Sequence, residues 1–407
     1  MNIIRLTRKG SLSEEQQVNL PASKSISNRA LIIQFLTQGK VSVQNLSEAM
    51  DTQNLQRALE DDNVLDVGEA GTSSRFALAL AAVTPGTRVI TGSKRLKERP
   101  FGPLIKAIRE LGGEVNCLEN EGFLPVEVRG KELEGGEIEI NPGKSSQFVS
   151  ALMLIAPQLP KGLTIRFTEE PTSFPYLMIT ASVMKSCGVD TQVSKEKIVI
   201  PAHSYREARI EVESDWTSAS YFFSAVALNP GLMLSLYGLQ QDSVQGDRAL
   251  VNLYGRLGVK SEFVGNRLLL SHGGEVKPDS EIDFTDFPDL AQTVAVTYAG
   301  LGLPLTLTGL HTLRVKETDR ILAVKNELEK FGVGVSSSSA QLEIHQRDGD
   351  LVSAQIETYQ DHRMAMAFSP LAFLTDLEIQ NPEVVSKSFP LFFDEFQKLG
   401  VLVESVS

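Results

Sequence analysis

The sequence predicts an α/β (α+β) protein of two similar domains, and three observations carry that expectation. One phrase recurs along the chain: an amphipathic helix, a glycine stop, a strand, a polar turn and a second strand. Between the copies lie helices that are apolar nearly all round, and such helices belong in a core. The copies at the two ends of the chain are each incomplete, so that start and end together would complete one unit.

Four copies are full. They place helices at 104–113, 177–188, 249–258 and 321–332, each ending on glycine and each followed by two short alternating runs. A glycine just past a helix suits the left-handed residue that closes it, and alternation suits a half-buried strand. At the C-terminus the helix 392–400 is followed only by Val401, Leu402 and Val403. At the N-terminus 3–6 and 17–20 are strands without a helix. The helix 52–61 runs almost directly into Val64-Leu65-Asp66-Val67-Gly68, so the first unit is truncated. With about six units, one of them split, the domain boundary is crossed twice. The expected domains are 1–20 plus 213–407, and 21–212 with the truncated unit.

Composition narrows the function classes. The chain has 407 residues, 42% of them hydrophobic, and a net charge of −12. An acidic chain is a poor match for nucleic acid or an anionic membrane. No apolar run approaches the length of a bilayer span, and the N-terminus lacks a signal-peptide core. Cys117 and Cys187 stand apart, without metal-ligand spacing or a disulfide framework. The expected address is the cytoplasm.

Against that acidic background, cations gather at helix starts. Arg314-Val315-Lys316-Glu317-Thr318-Asp319-Arg320 opens the helical pattern of Ile321, Leu322, Val324, Leu328 and Phe331. Lys316 and Arg320, four apart, would share a face at the end of a helix that disfavours cations. The core helices start in the same manner, with Lys24 and Arg29, with Arg75, and with Arg363 after Asp361 and His362. The Lys97-Glu98-Arg99-Pro100 and Ser386-Lys387-Ser388-Phe389-Pro390 loops add more. Serine, threonine and aspartate at these starts are ordinary caps, but converging cations point to a small polyanion, phosphate or carboxylate.

Taken in order, eight phrases resemble one family from end to end. They are Pro21-Ala22-Ser23-Lys24-Ser25-Ile26-Ser27-Asn28-Arg29, Ala70-Gly71-Thr72, Lys97-Glu98-Arg99-Pro100, Ser145-Ser146-Gln147-Phe148, Ser243-Val244-Gln245-Gly246-Asp247, 314–320, Asp361-His362-Arg363-Met364-Ala365-Met366 and Lys387-Ser388-Phe389-Pro390. The family is 5-enolpyruvylshikimate-3-phosphate synthase, an enolpyruvyl transferase of the shikimate pathway of aromatic amino acid biosynthesis and the target family of glyphosate. The resemblance implies two domains of three βαβαββ-type units each, an inverse α/β barrel-like fold, with the active site in the cleft between them. It implies transfer of the enolpyruvyl group of phosphoenolpyruvate to the 5-hydroxyl of shikimate 3-phosphate, with release of phosphate, by a monomer that uses no metal or organic cofactor. Its partners would be those two small molecules, with no nucleic acid and no membrane.

By position in the matched phrases, the resemblance assigns Asp289, Lys316 and Glu317 to the chemistry. It assigns Lys24, Ser25, Arg29, Ser145, Ser146, Gln147, Ser173, Tyr176, Asp289, Thr312 and Lys316 to shikimate 3-phosphate. Lys24, Gly71, Arg99, Gln147, Arg320, Arg363 and Lys387 fall to phosphoenolpyruvate. His362 is read as a neighbour that positions Arg363. The chain departs from the family pattern at Glu69, usually Asn, at Phe174, often Lys, and at Thr312, often Asn. Two alternatives remain at this level. One is the sister enzyme acting on UDP-N-acetylglucosamine, which typically carries a cysteine in the loop before its Arg-Pro, whereas 92–100 has none. The other is a non-catalytic homologue that binds a phosphorylated metabolite.

Overall fold

Helices that are apolar on every side form the inner layer in a computed structural model of the chain, which describes residues 2–10, 14–61, 63–143 and 145–406. Lys144, in the phrase that precedes Ser145, lies outside the described residues. The chain divides into two units, Met1–Pro21 with Ser214–Ser407, and Ala22–Glu213.

In the unit that holds both termini, the inner helices are Trp216–Leu228, Ala291–Leu301 and His362–Phe368. All of Trp216–Leu228 is buried, as its unbroken run of aromatic, small and aliphatic side chains requires. Three four-stranded sheets accompany these helices. One runs Ala354–Ile356, Leu377–Gln380, Ile3–Arg8, Val401–Ser405, so the first strand of the chain is clasped antiparallel by two of the last. The second N-terminal strand, Gln16–Asn19, does not join them. It pairs in parallel with Leu234–Tyr237, in the sheet that also contains Leu257–Val264 and Arg267–Val276. The expected grouping of both N-terminal strands with the last unit is therefore corrected for this strand. Val18, fully buried, adds to the core formed by Leu234 and Leu236, and that packing sets its partner.

In the unit Ala22–Glu213 the inner helices are Lys24–Leu36, Gly71–Val83 and Ser146–Ile155. Two sheets have four strands each, and the third has only two, Ala208–Glu211 and Val41–Gln44, paired in parallel. The helix Met50–Leu59 leads to Val64–Asp66, which pairs with Gly86–Thr91 of the next sheet, so no hairpin follows that helix.

Repeat boundaries shift in one place. The helix expected over 249–258 ends at Gly255, and Gly258 lies within the strand Leu257–Val264, where the register with its partner slips. The glycines at the other stops, Gly112, Gly188, Gly332 and Gly400, take φ between +80° and +89°, the left-handed closure their positions call for. No helix among the described residues is long and apolar enough to cross a membrane.

Candidate active site

In the unit Ala22–Glu213 the residues singled out by sequence lie at the starts of four helices, of which Lys24–Leu36 and Ser146–Ile155 each pack against the other three. Lys24 is the first residue of Lys24–Leu36, and its Nζ lies 2.8 Å from Asp51 Oδ2. One turn on, Arg29 is 1% exposed. It donates to the Ser25 carbonyl at 2.7 Å and the Tyr176 carbonyl at 3.1 Å, and to the Thr180 and Ser150 hydroxyls at 2.7 and 3.3 Å. Burial brings its pKa down to about 10, still leaving it a cation at neutral pH. Arg29 thus fixes Ser25 and Tyr176 to one another from beneath.

Ser145 caps the helix Ser146–Ile155, its Oγ accepting from the Gln147 N–H at 3.2 Å. The Gln147 amide donates to Thr72 Oγ1 at 2.8 Å, which joins this helix start to that of Gly71–Val83. Ser173, at the start of Phe174–Ser186, is held at φ +56°, a conformation in which a serine persists only when its surroundings impose it. At Gly71 a Cβ would fall 2.5 Å from the Arg99 guanidinium, so the missing side chain is what lets Arg99 lie over the helix start. Arg75, sandwiched with Phe101 at 4.6 Å and Phe148 at 5.1 Å, donates to the Gly71 and Pro100 carbonyls at 2.6 and 3.2 Å. It ties the two segments that carry Gly71 and Arg99. Glu69 stands half-buried just ahead of this helix.

In the other unit the second group is built on Arg320, which is 2% exposed. Its Nε donates to Asp361 at 2.7 Å, Nη1 to Asp289 at 2.9 Å and Nη2 to Glu317 at 2.8 Å. Burial opposes its charge, but Asp361, then Glu317 and Asp289, more than offset that cost and its pKa is raised. Asp289 also meets Arg363 at 3.0 Å and Lys316 at 4.0 Å. Asp361 caps His362–Phe368 by accepting from the Arg363 N–H at 2.9 Å, and His362 lies beside it at 3.7 Å. Arg363 Nη1 reaches the Tyr221 hydroxyl at 3.5 Å, and Lys387 donates to the Gln360 carbonyl at 2.6 Å. The Thr312 hydroxyl is buried with no hydrogen-bond partner among the described residues.

One sequence expectation changes here. The helix begins at Arg320, and Lys316 has extended backbone outside it, so the two do not share a helix face. They meet because both face Asp289. Asp319 caps the helix, accepting from the Leu322 N–H at 3.2 Å. Sequence reasoning also passed over partners with structural weight. Asp361 was read as a cap alone, yet it is the fully buried counter-ion of Arg320. Asp51, one residue ahead of the helix read at 52–61, was given no role. Asp247, in the Gln245-Gly246-Asp247 phrase, is buried and accepts from the Thr217 hydroxyl. Its pKa is pushed up to about 7 by burial, then by the Asp289 carboxylate. A buried carboxylate has no sequence signature beyond its phrase. No cluster of three or more histidine, cysteine or carboxylate side chains among the described residues could hold a metal ion.

Comparison with known proteins places this geometry in context. A family model described as EPSP synthase (3-phosphoshikimate 1-carboxyvinyltransferase) matches residues 9–61 and 55–396. A 3-phosphoshikimate 1-carboxyvinyltransferase of Bacteroides fragilis is 43% identical over 390 residues, covering 94% of this chain and 95% of the relative. One from a Sulfurovum species is 36% identical over 417 residues, covering 95% and 97%. Among solved structures, an EPSP synthase from Acinetobacter baumannii superposes with a TM-score of 0.79 over the full length of both chains at 21% identity, a likeness of fold.

Proposed function

The chain belongs to the EPSP synthase family, and on that premise we propose that it transfers the enolpyruvyl group of phosphoenolpyruvate to the 5-hydroxyl of shikimate 3-phosphate and releases phosphate. The observation that carries the reading is the carboxylate–cation constellation of Asp289, Glu317, Lys316, Arg320 and Arg363 in one unit. It combines proton acceptors with fixed positive charge, and an addition to an enol phosphate needs both.

The chemistry sets the demands. The hydroxyl oxygen bonds to C2 of the enol while C3 takes a proton. Phosphate then leaves from C2 as C3 gives a proton back. Asp289 is the acceptor for the hydroxyl proton. Glu317 and Lys316 exchange the proton at C3, and Lys316 also balances charge on the departing oxygens. Arg320, Arg363 and Lys387 hold the donor's anionic groups. In the structure Arg320 spends its donors on three carboxylates, so the donor's oxygens take over from Glu317 or Asp289 at its outer edge. Asp361, buried behind, keeps the guanidinium plane in place throughout.

The unit Ala22–Glu213 supplies the recognition groups. Ser25, Arg29, Ser145, Ser146, Ser173 and Tyr176 serve shikimate 3-phosphate, where helix N-termini favour a phosphate. Gly71 and Arg99 serve phosphoenolpyruvate, and Lys24 and Gln147 serve both substrates. Thr312 offers its buried hydroxyl to shikimate 3-phosphate. The protein acts as a cytoplasmic monomer without a cofactor. The test is phosphate release with both substrates: no turnover, or turnover with UDP-N-acetylglucosamine in place of shikimate 3-phosphate, overturns the reading.

A further inference from the structure

The segment that delivers Asp361 and Arg363 is strained. Tyr359 and Gln360 sit at φ +52° and +55°, the only consecutive non-glycine residues in the left-handed region among the described residues. L-residues with a Cβ resist that region, and runs of two are rare. Such a conformation persists only where its surroundings impose it.

What imposes it is visible. Glu327 is fully buried in the helix Arg320–Lys330, two turns beyond Arg320. Its carboxylate accepts from the Tyr359 hydroxyl at 2.7 Å, from the Glu357 N–H at 3.0 Å and from Lys330 at 2.6 Å. The Asp361 N–H closes on the Thr358 carbonyl at 2.8 Å, and Lys387 donates to the Gln360 carbonyl. Both ends of the turn are therefore referred to one helix. Glu327 holds the turn from that helix's middle, and Arg320 at its start holds Asp361. Burial and Glu327 raise the Tyr359 phenol to about 12, so it remains a donor at working pH.

We propose that Glu327 and Tyr359 are positioning residues, a brace that holds the left-handed turn so that Asp361 aligns Arg320 and Arg363 for the anionic donor substrate. The inference rests on the reading of those arginines as the phosphoenolpyruvate clamp. Neither Glu327 nor Tyr359 touches substrate. Their effect passes through backbone position, where a displacement of about 1 Å of the arginines is enough to weaken capture of the donor severalfold or more.

The test uses the full-length enzyme and steady-state phosphate release. Tyr359→Phe removes only the hydroxyl. The expected result is a KM for phosphoenolpyruvate raised about tenfold, with kcat within about twofold and the KM for shikimate 3-phosphate unchanged. Gln360→Asn, placed in the Tyr359→Phe background, substitutes a residue that tolerates the left-handed region and should recover most of the loss. A merely structural tyrosine would predict neither the split between substrates nor the rescue. An unchanged KM for phosphoenolpyruvate, or a loss shared equally by both substrates with a lowered melting midpoint, overturns the brace. A wild-type enzyme that does not turn over these substrates overturns the underlying reading, and the brace with it.

Discussion

Arg320 and Asp361 form an ion pair sealed from solvent, Nε to Oδ2 2.7 Å, with side-chain exposures of 2% and 0%. A buried pair of this kind is expensive to assemble and more expensive to break, because either charge left alone has no water to turn to. Asp361 also caps the helix that presents Arg363. One carboxylate therefore orients two of the cations assigned to the donor.

Asp361→Ala should consequently destabilise the protein strongly, by about 3–5 kcal/mol, the range for removing one partner of a buried pair. Urea unfolding at neutral pH, monitored by circular dichroism, measures it. A loss below about 1 kcal/mol, the scale of an exposed pair, would mean that Asp289 and Glu317 alone satisfy the buried Arg320.

Lys316→Met should abolish measurable turnover while leaving the fold intact. Lys316 stands outside any helix and lies 4.0 Å from Asp289, whereas Arg320 and Arg363 hold that carboxylate at 2.9 and 3.0 Å. Removing it leaves Asp289 neutralised, so the melting midpoint should barely move. Loss of a group that handles protons and charge at the reacting carbon lowers kcat by about 10²–10⁴-fold. Phosphate release under saturating substrates decides the point, and near-normal kcat would remove Lys316 from the chemistry.

Much of this was legible in the sequence because it is periodic or punctuated. The glycine stops and the alternating hairpins identified the repeat, and the apolar runs at 216–228 and 291–301 identified inner helices. The half-unit ending at Val403 pointed to pairing between chain start and chain end, and Ile3–Arg8 does pair with Val401–Ser405. Pairing of Gln16–Asn19 was not legible, since four residues carry too little pattern to choose among sheets. Within the site, cations were found by their conflict with the helix dipole. Asp289 and Glu317 came with the matched phrases, but Asp361 and Asp51 look like a cap and a surface residue until burial and distance are known, and the buried carboxyl of Asp247 shows no more. The left-handed turn at Tyr359 and Gln360 has no composition cue at all, since neither is glycine or asparagine.

Gly71→Ala tests the donor side of the other unit. The added methyl would sit 2.5 Å from Arg99 Nη1 and 2.6 Å from Nη2, distances that force the guanidinium aside. The obstructing atoms are the far end of a flexible chain, so stability should change little. The KM for phosphoenolpyruvate should rise about tenfold or more, because a displaced clamp loses geometry as well as contact. Steady-state kinetics with each substrate varied in turn provide the check, and an unaltered KM for the donor would separate Arg99 from donor binding.

Asp247 makes stability depend on pH in a defined direction. Burial, then the Asp289 carboxylate, push its pKa up to about 7, although the Thr217 hydroxyl works the other way. A carboxyl whose pKa is raised on folding favours the fold when protonated. Its contribution is therefore fully present below the ordinary carboxylate pKa and is lost as pH rises through about 7. Asp247→Asn cannot ionise, and its amide oxygen can still accept from Thr217. The difference in melting midpoint, variant minus wild type, should grow as pH rises from about 4 to 7 and then level off. Each kcal/mol corresponds to about 2–4 °C for a unit of this size. Differential scanning fluorimetry of both proteins between about pH 4.5 and 8 measures that difference, which cancels the titrations the two share. Parallel curves across that range would mean that Asp247 stays ionised in the folded protein, with Arg363 rather than burial in control.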